Sequence, residues 1–186
     1  DMDGDGFQDL LLSQNSYAPQ LETGHFDAGQ GIMLSGLGNG QFEAVWPKQS
    51  GFSFPGDAKS LTFIDWNADA KPDVLISRNN DTLLAFENQP NDGAKSITLI
   101  LEGSQRNPQA IGTRIVAILN DQSSLTQEIY AGASYLSQSS PRIHINIPMD
   151  KMLKEIQIHW SDSTQSKHAI STNGDSFIRL KKPKKR

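Results

Sequence analysis

The sequence predicts an all-β chain in two parts: a pair of repeat units of propeller-blade size, then a small β-sandwich or barrel-like domain. Three observations predict it. An aspartate-rich segment at Asp1 recurs 64 residues on, at Asp65, and self-similarity at a fixed interval is the mark of a repeat architecture. Short apolar runs alternate with turn residues along the chain, and two of them, Ile143, Ile145, Ile147 and Ile156, Ile158, Trp160, keep the period of two of a half-buried strand. No long amphipathic helix pattern interrupts them.

The two copies read Asp-Met-Asp-Gly-Asp-Gly-Phe-Gln-Asp-Leu-Leu-Leu from residue 1 and Asp-Trp-Asn-Ala-Asp-Ala-Lys-Pro-Asp-Val-Leu-Ile from residue 65. Each runs into an apolar strand (10–13 and 74–77), a polar turn and a second strand (31–34 and 82–86). The first copy continues through the glycine-rich turn Gly36-Leu37-Gly38-Asn39-Gly40-Gln41 into an extended 42–46, and 59–64 is the strand that enters the second copy. Asn-Gln-Pro-Asn-Asp-Gly at 88–93 changes the composition and divides the chain into 1–92 and 93–180, with 181–186 a basic tail. Past that division strands are expected at 97–101, 114–119, 126–130, 142–147, 155–160 and 177–180, with one helical turn at 149–153. Evenly spaced short strands of this kind build a sandwich or barrel.

Composition narrows the function. The net charge of −4 includes a terminal cluster, Lys181, Lys182, Lys184, Lys185 and Arg186; without it 12 basic residues face 21 acidic ones. An acidic body argues against a nucleic-acid surface, which needs a basic stripe to displace counterions. No apolar run approaches a membrane span. With no cysteine, neither disulfides nor thiolate metal sites are available.

The aspartate loops carry the chemistry. Calcium takes six to eight hard oxygen ligands, and closely spaced aspartates on a tight turn provide them. In the first loop Asp1, Asp3 and Asp5 project carboxylates inward, Phe7 offers its carbonyl and Asp9 closes the shell, with Gly4 and Gly6 letting the backbone curl. In the second, Asp65, Asn67, Asp69, the Lys71 carbonyl and Asp73 stand at the matching positions. Its formal charge is −2 against −4, so weaker binding is expected, and a degenerate copy kept as a plain turn is the alternative. An EF-hand needs a glutamate at the twelfth position and flanking helices; Leu12 and Ile76 stand there.

Other features have ordinary readings. His144 and His159 fall on the polar faces of alternating strands, as exposed residues, and His168 has no ligand spacing. Ser134, Ser137, Ser139 and Ser140 suit turn hydrogen bonds. Trp46, Trp66 and Trp160 suit core or blade-edge packing. No HExxH, GxSxG or phosphate-loop pattern occurs, so no catalytic residue is assigned.

The loops of residues 1 to 90 resemble FG-GAP or VCBS repeats of integrin α-type propellers and bacterial exported proteins, in which such a loop ties together two strands of a blade. The second part resembles the ASPIC and UnbV domain through Asn107-Pro-Gln-Ala-Ile-Gly-Thr-Arg, Gly132-Ala-Ser-Tyr-Leu-Ser-Gln-Ser and Ile158-His-Trp-Ser-Asp-Ser. It departs at Ser161-Asp162-Ser163, where that family favours Pro-Asp-Gly, and at Ile145-Asn146-Ile147-Pro148, which lacks the usual glycines. The resemblance implies the end of a β-propeller, one to two blades, with further blades upstream. It also implies a noncatalytic, calcium-stabilised binding or adhesion module, secreted or in the cell envelope, with protein or glycan partners. The competing expectation is an enzyme whose active site lies in upstream blades or at the domain junction.

Overall fold

The computed structural model describes residues 1–89, 95–132, 134–170 and 175–184. Its first half is two three-stranded antiparallel sheets. One contains β1 (Leu10–Leu12), β2 (Ile32–Gly36) and β3 (Phe42–Val45) in that order; the other contains β4 (Ala58–Ile64), β5 (Asp73–Arg78) and β6 (Leu84–Phe86). Between them lies a single helical turn, α1 (Pro47–Ser50), opened by proline at its first position and closed by Gly51 at φ 67°. The apolar run Val74-Leu75-Ile76, with β-branched residues at either end, suits a strand, and its inward pair, Val74 and Ile76, is buried. These side chains pack with Met33, Leu61, Phe52 and Phe54 into one core, where Phe52 and Phe54 meet edge to face at 5.3 Å.

The repeat is visible in space. β1 and β2 correspond to β5 and β6, and the second aspartate loop is the turn that joins β4 to β5. β5 has neighbours on both sides, whereas β1 pairs only with β2 among the described residues. The first copy is stretched at 13–31, where Asn15 holds the long connection together: its amide donates to the Gly29 and Gly56 carbonyls and accepts from the Ala28 and Gly29 N–H groups.

The second half is a sandwich. One sheet runs β10 (Ile143–Ile147), β7 (Lys95–Glu102), β13 (Phe177–Lys181), with β13 parallel to β7; the other runs β12 (Gln165–Ala169), β11 (Leu153–His159), β8 (Arg114–Leu119), β9 (Ser124–Glu128). The alternating residues Ile143, Ile145, Ile147 and Ile156, Ile158, Trp160 point into the core between the sheets, with Ile97, Leu99 and Ile115.

Four expectations are corrected. Residues 148–151 form a tight turn, with the Lys151 N–H on the Pro148 carbonyl at 2.9 Å, and β11 begins at Leu153 instead of a helical turn. β12 was not expected, because Gln-Ser-Lys-His-Ala has no apolar alternation. Lys181 closes β13 and Lys182 Nζ meets Asp162 at 2.6 Å, so ordered structure reaches into the expected tail; residues 185–186 lie outside the described residues, as do 90–94 of the expected boundary. Trp160 is in the core, but Trp46 is 75% exposed.

Among the described residues, the halves are hydrogen-bonded to each other in two places. Along β4, the Ser137 hydroxyl donates to the Leu61 carbonyl (2.7 Å), the Thr62 hydroxyl to the Gln138 carbonyl (2.9 Å), the Phe63 N–H to the Ser139 hydroxyl (3.1 Å), and the Ser140 N–H to the Phe63 carbonyl (3.2 Å). Three of the serines read as turn residues are therefore bonded to the other half of the molecule. The second place is the aspartate loops.

Candidate metal centre

Each loop is a cage of side chains that accept from their own backbone. In the first, Asp1 takes the Gly4 N–H (2.9 Å) and the Gly6 N–H (3.1 Å), Asp3 takes the Asp5 N–H (3.2 Å), and Asp5 takes the Phe7 N–H (2.8 Å). Asp9 ties the loop to the sheet by accepting from the Met2 N–H (2.6 Å) and the Gly36 N–H (2.9 Å). Gly36 must be glycine, since a Cβ there would strike the Gln8 carbonyl.

The second loop repeats this plan. Asp65 takes the Asp69 and Ala70 N–H groups (both 3.1 Å), Asn67 takes the Asp69 N–H (3.2 Å), and Asp69 takes the Lys71 N–H (2.9 Å). Asp73 accepts from the Trp66 N–H (3.2 Å) and the Asn88 N–H (2.9 Å).

The cages differ in charge and strain. Asp1, Asp3 and Asp9 each bring a carboxylate oxygen within 4.8 Å of the others, a spacing that fits oxygens around one cation with bonds near 2.3–2.6 Å. Asp5 stands outside that triple. Desolvation holds its carboxyl above the ordinary aspartate range; the Phe7 N–H opposes this, and the charges of Asp3 and Asp9 add to it. Asp1, Asp3 and Asp9 are the only metal-sized group of acidic or histidine side chains among the described residues. In the second loop the Asn67 amide instead donates to Asp69 at 3.2 Å, a contact that needs no ion. Burial pushes the Asp73 carboxyl up, with the Asp69 and Asp65 charges adding, against the bonds from Asn88 and Trp66. Gly4 and Gly6 adopt φ of 81° and 92°; the matching residues, Ala68 and Ala70, sit at 61° and 70°, where a Cβ costs about 1–2 kcal/mol.

Of the sequence-predicted ligands, then, the structure gathers Asp1, Asp3 and Asp9, with Asp5 beside them and Phe7 at the end of the turn. Asp65, Asn67, Asp69, Lys71 and Asp73 keep the fold of the loop without a matching carboxylate cluster.

His144 is a further correction. It is half-buried against the second loop, its Nδ1 3.1 Å from the Ala70 carbonyl and 3.0 Å from the Thr98 hydroxyl. A carbonyl only accepts, so Nδ1 carries the proton. Burial lowers the pKa of this imidazole, the Ala70 bond notwithstanding. Sequence reasoning placed the residue on the polar face of its strand; what covers that face was not written in the local pattern.

A cavity of about 520 Å³ lies at the junction, lined by Phe63, Tyr130, Arg142, Glu128 and His144 among others. The hydroxyl bonded to His144 belongs to Thr98, which is fully buried and outside the lining of that cavity, so this pair offers no accessible nucleophile and base. No helix among the described residues is long and apolar enough to cross a membrane.

Residues 1–76 match the family model described as FG-GAP-like repeat, and residues 103–186 match the one described as ASPIC and UnbV. No curated protein matches the chain.

Proposed function

Because this chain is an FG-GAP-like repeat region running into an ASPIC and UnbV domain, we propose that it is a noncatalytic, calcium-stabilised module of a secreted or cell-envelope protein that binds protein or glycan surfaces. The two domain types are those of extracellular-type repeat and binding modules, and neither is a known catalytic domain. Calcium is the finer step, and one observation carries it: the convergence of Asp1, Asp3 and Asp9 within 4.8 Å. Those three carboxylates would hold the ion, with Asp5 and the Phe7 carbonyl as further oxygens. A bound cation supplies the countercharge for four aspartates in nine residues and links the loop to β2 through Asp9.

Calorimetric titration of the chain with calcium, alongside thermal melting in calcium and in chelator, tests this reading. Saturable binding and a melting temperature that rises with calcium are expected. A melting temperature unmoved by saturating calcium overturns it.

A further inference from the structure

The two loops lie far apart in sequence, yet neighbouring rungs of one ladder in the sandwich grip both. In the β10/β7 register Asn146 faces Ser96, and His144 faces Thr98 two residues along. All four point away from the sandwich core, toward the repeats. The first rung is closed at both ends: the Ser96 hydroxyl donates to Asn146 Oδ1 at 2.7 Å, and Asn146 Nδ2 donates to the Asp1 carbonyl at 2.8 Å. Asn146 is 2% exposed, and because a carbonyl only accepts, its amide has one allowed orientation. On the second rung, His144 and Thr98 converge on the Ala70 carbonyl of the other loop. Residues two apart on a strand are about 7 Å apart, so the rungs fix the two loops side by side. The first loop also faces the sandwich at Gly6, where an added Cβ would lie 3.5 Å from Leu125 and 3.6 Å from Pro148.

We propose that Asn146 is a positioning residue for the cation site of the first loop, supplied by the other domain. Both Asp1 carboxylate oxygens are already turned inward by Gly4 and Gly6; the Asn146 bond fixes the peptide from which that carboxylate springs. Outer contacts of this kind orient ligands, and losing one costs about 10–100-fold in metal affinity. Linkage makes the effect mutual: whatever the docked sandwich adds to calcium affinity, calcium returns to docking. The inference rests on calcium binding by the first loop.

Calorimetry on the full chain decides it, with Asn146→Ala, Ser96→Ala and Ile156→Val compared with the unaltered protein. Asn146→Ala should weaken calcium binding about tenfold or more. Ser96→Ala, which frees only the far end of Asn146, should weaken it less and carries the test if Asn146→Ala does not fold. Ile156→Val loosens the sandwich core away from the clamp; it should lower the melting temperature in chelator and leave affinity within about twofold. Calcium binding unchanged in the Asn146 and Ser96 variants, or weakened equally in Ile156→Val, overturns the positioning role while calcium binding itself stands. No binding by the unaltered chain overturns both.

Discussion

The two aspartate loops share most of their hydrogen bonds and differ in chemistry. Four contacts recur at matching positions: the second N–H on Asp9 or Asp73, the fifth on Asp3 or Asn67, the sixth on Asp1 or Asp65, and the seventh on Asp5 or Asp69. The remaining oxygen differs, since Asp1 takes the Gly4 N–H and Asp65 takes the Asp69 N–H. The turn geometry is therefore held by oxygen acceptors, which aspartate and asparagine both provide. What separates the loops is countercharge: three carboxylates converge in the first, and an amide donates to one of the carboxylates in the second. A repeat can lose the electrostatic reason for its aspartates and keep their structural one.

The largest effects should come where the loops are most alike. Asp73 is fully buried and holds two N–H groups, so Asp73→Ala should cost about 1–3 kcal/mol for the donors left unpaired, equally in calcium and in chelator by denaturant unfolding. Asp9→Ala should show the same loss in chelator and a larger one in calcium. Equal losses for Asp9→Ala in both conditions would erase the distinction between the loops. Next come the exchanges. Asp3→Asn places an amide where the second loop has Asn67, takes the first loop from −4 to −3, and should weaken calcium binding by about an order of magnitude, whereas Asn67→Asp should bring calcium binding to the second; calorimetry reads both. Asp5→Ala, whose carboxylate is exposed and accepts one N–H, should lower the melting temperature in calcium and barely in chelator.

Smaller effects follow from backbone and proton. Ala68 is exposed at φ 61°, so Ala68→Gly should stabilise the chain by about 0.5–1 kcal/mol, and Gly4→Ala should destabilise it by at least as much, both by thermal melting. In chelator, Asp5 and Asp73 have raised pKa values, so their contribution is most favourable below the ordinary aspartate value and is lost as pH rises through their folded values. Metal-free protein should thus gain stability as pH falls from 7 toward about 4, and calcium-loaded protein should lose it there as protons displace the ion. Asp121, held down to about 2 by the Ser123 hydroxyl and Lys151, works the other way. Its contribution is present above its ordinary value and lost only as pH falls below that toward 2, so it does not mask the effect. Melting temperatures across that range in both buffers measure the crossing.

Spacing made the first loop legible, since Asp1, Asp3 and Asp9 are ligand types at ligand intervals. Period-two runs made β10 and β11 legible, because a buried face leaves an apolar trace. β12 left none: it is an edge strand whose side chains alternate between exposed and half-buried. His144 was misread for a related reason. A polar face that meets solvent and a polar face that meets another domain's carbonyls carry the same residue types, and only the covering surface tells them apart. Ser163 was legible as a departure, and the structure gives it φ 67°, the conformation for which a glycine at that place is suited.

The Ser137 to Ser140 segment along β4 has a consequence for assembly. Blades grow by adding strand to strand, and an open edge is an invitation to any chain with free N–H and C=O groups. At Phe63 both backbone groups are answered from the sandwich, the N–H by a side-chain hydroxyl and the carbonyl by the Ser140 N–H. A hydroxyl terminates a ladder where a backbone group would extend it. The second domain thus covers the β4 edge at Leu61 to Phe63, where a strand would otherwise find backbone groups to pair with.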